Sequence, residues 1–449
     1  MKRRRLLIGL CVLIVLIGMG LIGAWLFWRS IHGAERLPGV VQAIPAGMET
    51  PPALQEGPAD WPCWRGPGGD GRSAVTGIRT DWTGGLKKLW EVSYLCQGER
   101  TATWSAPVVQ GNRLVVPGRD ARDDLLFCLA PETGELVWSK SYRARTGSSH
   151  GPGSRATPFI DHDRVYTFGR GGDLVCWRLL DGELLWRQNV EDAGGKSPTW
   201  GHSSSPVVHD NKVFVQGGGR ALAVAYDKVT GRLLWKSMEG KAGYTALALL
   251  KKVETVGLLV FHGTGLACLD TADGRVLWET PWETSYGVNA TTPAIADATI
   301  FITSGYGTGC EALRVEDGQV NVLWRNKAIA SHHSDPILID GFIYGYSGQS
   351  SQNAGYFKCV DLRSGREKWS TRELGWGTTT WVDGRLLCMD IRGNLYLVEP
   401  HPDAFRLIAQ FRDALDEVTH PAWTTPVVAN GRVYLRYMQR LVCYDLMPQ

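Results

Sequence analysis

The residues of this 449-residue chain that carry binding chemistry are scattered, yet each stands shortly before a recurring strand signal. They are Trp104, Arg155, Trp200, His202, Tyr244, Tyr286, Asn289, His332, His333, Trp376 and His420. Flat rings brought together from several loops can stack a planar ligand, with Arg155 pairing to its carboxylates. His202, His332, His333 and His420 have the chemistry for zinc or copper, and Asn289 or Asp335 has an oxygen suited to calcium. No local ligand spacing supports a metal, so none is assigned. His333-Ser-Asp335 has the letters of a hydrolase triad. Neighbours on an extended segment point to opposite faces, so these three cannot form the relay. The plainer alternative is that the rings plug a channel and the histidines satisfy loop backbone. Both readings stay open on sequence alone.

Two markers alternate along the chain and would position these loops. The first is a small or hydroxylated residue, Pro and an apolar strand. It reads Ser105-Ala-Pro-Val-Val, Ala156-Thr-Pro-Phe-Ile, Ser204-Ser-Pro-Val-Val, Thr291-Thr-Pro-Ala-Ile, Ser334-Asp-Pro-Ile-Leu and Thr424-Thr-Pro-Val-Val. Weaker copies without the proline begin at Ala246 and Thr378. The second marker is a strand, a Gly turn and a strand closing on Trp90, Trp138, Trp186, Trp235, Trp278, Trp324 or Trp369, with a degraded copy near Phe405–Phe411. The closing tryptophans lie 43 to 49 residues apart. That spacing holds about four short strands, the size of a propeller blade. The last unit stops before its fourth strand, while Lys87-Lys-Leu-Trp90-Glu-Val at the front is a closing strand with no partners. If the front strand completes the last unit, the ring closes with eight blades and leaves no open sheet end. The loops before the first marker then gather at one mouth of the ring.

Repeats such as Leu266-Ala-Cys-Leu-Asp-Thr-Ala-Asp-Gly-Arg-Val-Leu-Trp278 resemble the tryptophan-docked repeats of pyrroloquinoline quinone (PQQ)-type propellers. That family includes quinoprotein dehydrogenases and the non-enzymatic outer-membrane assembly (BamB-type) propellers. The resemblance covers roughly residues 85–446 and implies an all-β, eight-bladed ring. For a quinoprotein it implies PQQ with calcium at the aromatic mouth and a carboxylate base acting on an alcohol. The chain departs from that pattern. It has no Cys-Cys dipeptide, no Glu/Asn/Asp calcium set and no mouth aspartate other than Asp335 beside the strand proline. No Gly-His…Trp-Asp pairing recurs, which disfavours a WD-type ring.

At the end of an outer strand, the tryptophan indole has about 150–250 Å² to bury between adjacent blades and an N–H for a neighbouring carbonyl. The repeat glycines (Gly134, Gly182, Gly231, Gly274) suit turns that need positive φ. Six residues before each repeat glycine stands Cys128, Cys176, Ala225, Cys268, Ala312 or Cys359, with Cys443 in the truncated unit. A slot shared by Cys and Ala calls for a small buried side chain, expected against the next blade, and leaves these thiols unbridged. Cys11 lies in the apolar leader; Cys63, Cys96, Cys310 and Cys388 remain, and a Cys63–Cys96 bridge stays open.

The leader sets the compartment. Met1-Lys-Arg-Arg-Arg5 precedes an uncharged run from Leu6 to Trp28, long enough to span about 30 Å of bilayer core. Bulky residues end the run where a signal peptidase requires small ones, and Trp25 and Trp28 suit the membrane interface. We therefore expect residues 1–29 to be a basic tip and an uncleaved transmembrane helix, with the rest outside the cytoplasm, on the periplasmic side. A cleaved signal peptide is the alternative. Residues 30–59, rich in Pro, Gly and Ala, are expected to be a flexible linker. Residues 60–84 open with Asp60-Trp-Pro-Cys-Trp-Arg-Gly-Pro-Gly-Gly-Asp-Gly71, read as a clasp in which Trp61 and Trp64 pack on the ring and Arg65 holds a carboxylate. Residues 85–449 form the propeller. Beyond residue 30 the chain has 43 basic and 45 acidic residues, so nothing marks a nucleic-acid partner. The sequence favours a binding or scaffolding module for a protein, peptide or envelope component. The alternative is a PQQ/calcium-dependent oxidoreductase acting on alcohols.

Overall fold

The computed structural model describes residues 37–448 apart from 146, 148–149, 252–255, 317 and 350–354. The transmembrane helix expected over 6–28 lies outside the described residues; among those described, no helix is long and apolar enough to cross a membrane.

Strands gather into eight four-stranded antiparallel sheets, seven of them formed in chain order, and together they make the expected all-β, eight-bladed ring. Blades 1 to 7 span 108–143, 159–189, 207–237, 248–281, 294–326, 337–371 and 377–411. Blade 8 takes three strands from 427–445 and its outer strand from Lys88–Val92, with Trp90 opposite Cys443 and Val92 opposite Leu441. Main-chain hydrogen bonds between the two ends of the propeller thus close the circle.

Tryptophan docking repeats one geometry at five of the closing tryptophans. The indole N–H of Trp90, Trp138, Trp186, Trp235 and Trp324 donates to the carbonyl of Pro131, Leu179, Lys228, Thr271 and Leu362, at 2.8–3.2 Å. Each acceptor stands three residues before the next blade's repeat glycine. A Cβ added to Gly134, Gly182, Gly231, Gly274 or Gly365 would lie 2.6–2.7 Å from the docked ring. These glycines hold positive φ, and they also leave room for the tryptophan. Gly318 is the exception: no atom lies within 4 Å of its Cβ position.

The Cys/Ala slot faces the blade's own closing tryptophan across the sheet (Cys128 opposite Trp138, Ala225 opposite Trp235) rather than only the next blade. A large residue there would collide with the indole. All described cysteines are free and buried. Cys63 Sγ points at the Gly66 carbonyl (3.0 Å) and Cys96 Sγ at the Thr103 hydroxyl (3.6 Å), so the two are not bridged.

The first marker has its own chemistry at the axis. The Thr157 hydroxyl accepts the N–H of Ala106, Ser205 accepts that of Thr157, and Asp335 accepts that of Thr292. At these three positions the residue before the proline therefore ties its innermost strand to the preceding one.

Residues 37–59 form no helix or strand, in keeping with their prolines, but they are not a free linker. Gln439 donates to the Pro38 carbonyl, Gln97 to that of Gln42 (3.0 Å), Met48 N–H to that of Val137 (2.9 Å) and Asn112 to that of Ala53 (2.8 Å). The segment descends the seam between blades 8 and 1, from the mouth to the opposite face, the base. The clasp then crosses the base. Trp61 bridges to Val109, Trp64 donates to the Thr292 hydroxyl (2.9 Å), Arg72 lies over Trp381, and Ser73 donates to the Val428 carbonyl (2.8 Å). Beneath it remains a cavity of about 20 Å³, lined by Trp61, Trp64, Arg65, Asp335 and Thr380 among others, room for about one water.

Candidate functional site at the propeller mouth

At the mouth, rings from separate blades meet in an arc. Tyr244 touches Trp200 (centroids 5.7 Å apart), Trp200 touches Tyr286 (6.1 Å), Tyr286 touches Tyr306 (5.7 Å), and Tyr306 touches His332 (5.1 Å). The arc continues through His333 to Trp423 (5.5 Å), which contacts both Trp104 (4.8 Å) and His150 (5.6 Å). Arg155 completes the circuit by donating to the carbonyls of His150 (3.1 Å) and Trp200. Its guanidinium thus holds main-chain carbonyls, where sequence reasoning gave it a ligand carboxylate.

The expected residues divide into two tiers. Trp104, His202, Asn289 and Trp376 are buried beneath the surface. Trp104 Nε1 donates to the His150 carbonyl and Trp376 Nε1 to that of Gly348. Asn289 is consumed internally: Nδ2 donates to the His262 carbonyl (2.6 Å), and Oδ1 accepts from Thr284 and Ser304. It has no oxygen left for calcium. Trp200, Tyr244, Tyr286, His332 and His333 form the outer tier. His420 stands beside the arc, its N–H donating to the Tyr437 hydroxyl (2.8 Å). Trp423, His150 and Tyr306 were missed. Trp423 directly precedes the last first-marker, where His420 drew attention instead. Tyr306 belongs to the hairpin turn between the second and third strands of blade 5, a turn type that opens on the same face but carries no marker.

Burial keeps His202, His332 and His333 neutral. It lowers His202 and His332 to about 4 and holds His333 well below its ordinary value, with His332 and His150 adding to the effect there. His150, Tyr286 and Tyr306 hold φ of 54°, 63° and 56°, a left-handed conformation unusual for bulky side chains and concentrated at functional surfaces.

The quinone and calcium suggested by resemblance do not fit these residues. A flat cofactor stacks between parallel faces, whereas here Trp200–Tyr286, Tyr306–His332 and His333–Trp423 meet edge to face at 78–86°. Asp335, the one candidate base, is buried away from the mouth. Its Oδ2 lies 3.2 Å from Arg65 Nη1 and its Oδ1 accepts the Thr292 N–H (2.7 Å). Arg65 thereby holds a carboxylate, as the clasp reading expected. Among the described residues, no three His, Cys, Asp or Glu side chains are placed to hold a metal.

Eight blades, seven of them ending on a closing tryptophan, sealed by a front strand and capped at the mouth by rings, define a PQQ-like propeller. A family profile described as outer membrane protein assembly factor BamB matches residues 122–371, more than half of the chain. The chain belongs to that family. BamB from Moraxella catarrhalis superposes with a TM-score of 0.56 at 14% identity, over 80% of this chain and 97% of that one. Quinohemoprotein alcohol dehydrogenase from Comamonas testosteroni gives 0.60 at 12% identity (87% and 82%). Quinohemoprotein alcohol dehydrogenase ADHIIG from Pseudomonas putida HK5 gives 0.63 at 11% identity (88% and 82%). At these identities the likeness is one of fold. No curated protein matches the chain by sequence.

Proposed function

We propose that the protein is a membrane-anchored, extracytoplasmic binding and scaffolding propeller, working in the manner of an envelope assembly factor. The observation that carries this reading is that the mouth is filled by its own rings, while Asp335, the one candidate base, is held by Arg65. A propeller so filled offers shape and surface rather than a reaction chamber. Its docked blades and hydrogen-bonded axis give a rigid frame, on which loops from eight blades can engage a protein or peptide partner. The apolar run from Leu6 to Trp28 supports the anchor, and the cations before it support a cytoplasmic tip.

The experiment that tests the class is quinone loading. The full chain is purified in detergent, mixed with PQQ and Ca²⁺, and followed by absorbance and by dye-linked alcohol oxidation. The expected result is neither stoichiometric uptake nor turnover. Uptake with turnover overturns the scaffold reading in favour of an oxidoreductase.

A further inference from the structure

We infer that the mouth face rests on the lipid surface of the membrane that anchors the chain, with Tyr286 and Tyr306 seated among the headgroups. This inference builds on the anchored reading proposed above. Two independent observations lead to it. The first is where the chain leaves the ring. The Pro38 carbonyl is held by Gln439 in the mouth-side turn of blade 8, and Gln42 N–H donates to Ser93 nearby (3.2 Å). Trp28, the last residue of the apolar run, is ten residues before Pro38. Whatever its path, that stretch reaches no further than about 35 Å. The mouth rim of blade 8 is therefore leashed close to the bilayer, while the base lies on the far side of the ring.

The second observation is the distribution of exposed aromatics. Among the described residues, the only exposed Phe, Tyr or Trp side chains are Tyr286 (63%) and Tyr306 (38%). Both are on the mouth face, on the neighbouring blades 4 and 5, and their rings touch. Blade 4 is opposite blade 8 in a ring of eight. A leash on one side and a tyrosine pair on the other give two points of support, which lay the face flat. Tyrosine suits that position because its ring is apolar and its hydroxyl stays wet. Left-handed backbone at both residues holds the rings outward at some conformational cost.

Charge contributes little. Exposed Lys196, Arg220, Lys241 and Lys327 around the pair are interleaved with Asp192, Glu239 and Glu283. The contact is weak on its own and becomes effective because the leash makes it intramolecular. The base and the blade rims then remain free for partners.

The test uses the full chain, with Cys11→Ser, reconstituted in vesicles of phosphatidylethanolamine and phosphatidylglycerol. The propeller cysteines are buried, so a new surface cysteine takes an environment-sensitive fluorophore alone. One label is placed at Ser285→Cys beside the tyrosine pair, the other at Asp340→Cys in a base turn. Quenching by headgroup spin-labelled lipid is expected to be severalfold stronger at 285 than at 340. It should be little changed by salt and reduced by the double substitution Tyr286→Ser/Tyr306→Ser. Equal quenching, stronger quenching at 340, or quenching at 285 only in native membranes that contain other proteins overturns the lipid assignment. Alkaline extraction separates the two failures. If the chain is stripped from the vesicles, the anchor itself is wrong and the inference falls with it. If it stays but position 285 remains in water, only the inference falls.

Discussion

At the base, the channel is shut by a crossing strap whose Arg65 forms a buried ion pair with Asp335 of blade 6, with main-chain bonds running to the innermost strands of several blades. At the mouth, it is shut by rings that touch edge to face, by imidazoles kept neutral, and by residues in left-handed backbone conformations. Both ends are closed, but the base depends on charges that cannot be separated cheaply. The mouth depends on many small contacts between loops, each replaceable. A rigid end and an adaptable end are what a tethered scaffold needs: one to hold the ring, the other to meet a surface.

The largest effect expected from this contrast is at the base. Asp335→Ala leaves Arg65 buried beside no counter-charge and the Thr292 N–H without its acceptor. We expect a loss of about 3–5 kcal/mol in urea-induced unfolding, with Arg65→Met/Asp335→Leu recovering part of it. A loss below about 1 kcal/mol would mean that the pair does not hold the strap in place.

The mouth should respond to acid. His202 is buried with a pKa of about 4, against an ordinary 6.5. As pH falls below 6.5 the unfolded chain takes up the proton first, so stability is complete above that value and is lost progressively towards pH 4. The loss from this one residue amounts to about 3 kcal/mol. His202→Gln should flatten that part of the profile, as measured by denaturant midpoints at neutral pH and near pH 4. A slope that survives the substitution unchanged would assign the acid sensitivity elsewhere.

The ring wall between the two ends supplies an internal control. Gly182 and Gly318 have nearly the same positive φ (73° and 76°), but only Gly182 lies under a docked indole. Gly182→Ala should therefore cost about 1–3 kcal/mol more than Gly318→Ala in thermal or urea unfolding. Equal costs would mean that backbone conformation, not tryptophan docking, sets the glycine requirement.

The wall was legible in the sequence because it repeats. A tryptophan every 43 to 49 residues and a proline after a small residue fixed the blade count and the closing strand. Arg65 as a carboxylate holder was legible too, since a lone cation among tryptophans and glycines needs a partner. The mouth was less so, because its contacts join loops that share no register. Asn289 looked like a ligand until the Ser304 hydroxyl from the next blade took its oxygen. Trp423 and His150 come together across the seam between chain ends, and Tyr306 is on a turn the markers do not flag. The role of the hydroxyl before the proline, accepting an N–H from the preceding blade, depends on spacing between blades that no linear pattern displays.

The smallest effect is the one that most sharpens the comparison. Tyr286→Gly removes ring contacts with Trp200 and Tyr306, each of the order of 0.5–1.5 kcal/mol when well packed and less for a ring this exposed. It also relieves a left-handed tyrosine, a gain of about 1 kcal/mol. The two nearly cancel, so unfolding free energy should change by less than about 0.5 kcal/mol. A loss comparable to that of Asp335→Ala would make the mouth as structural as the base. A near-zero change would leave Tyr286 as a residue whose strained, exposed placement the fold itself does not require, which is the mark of a side chain kept for contact with something else.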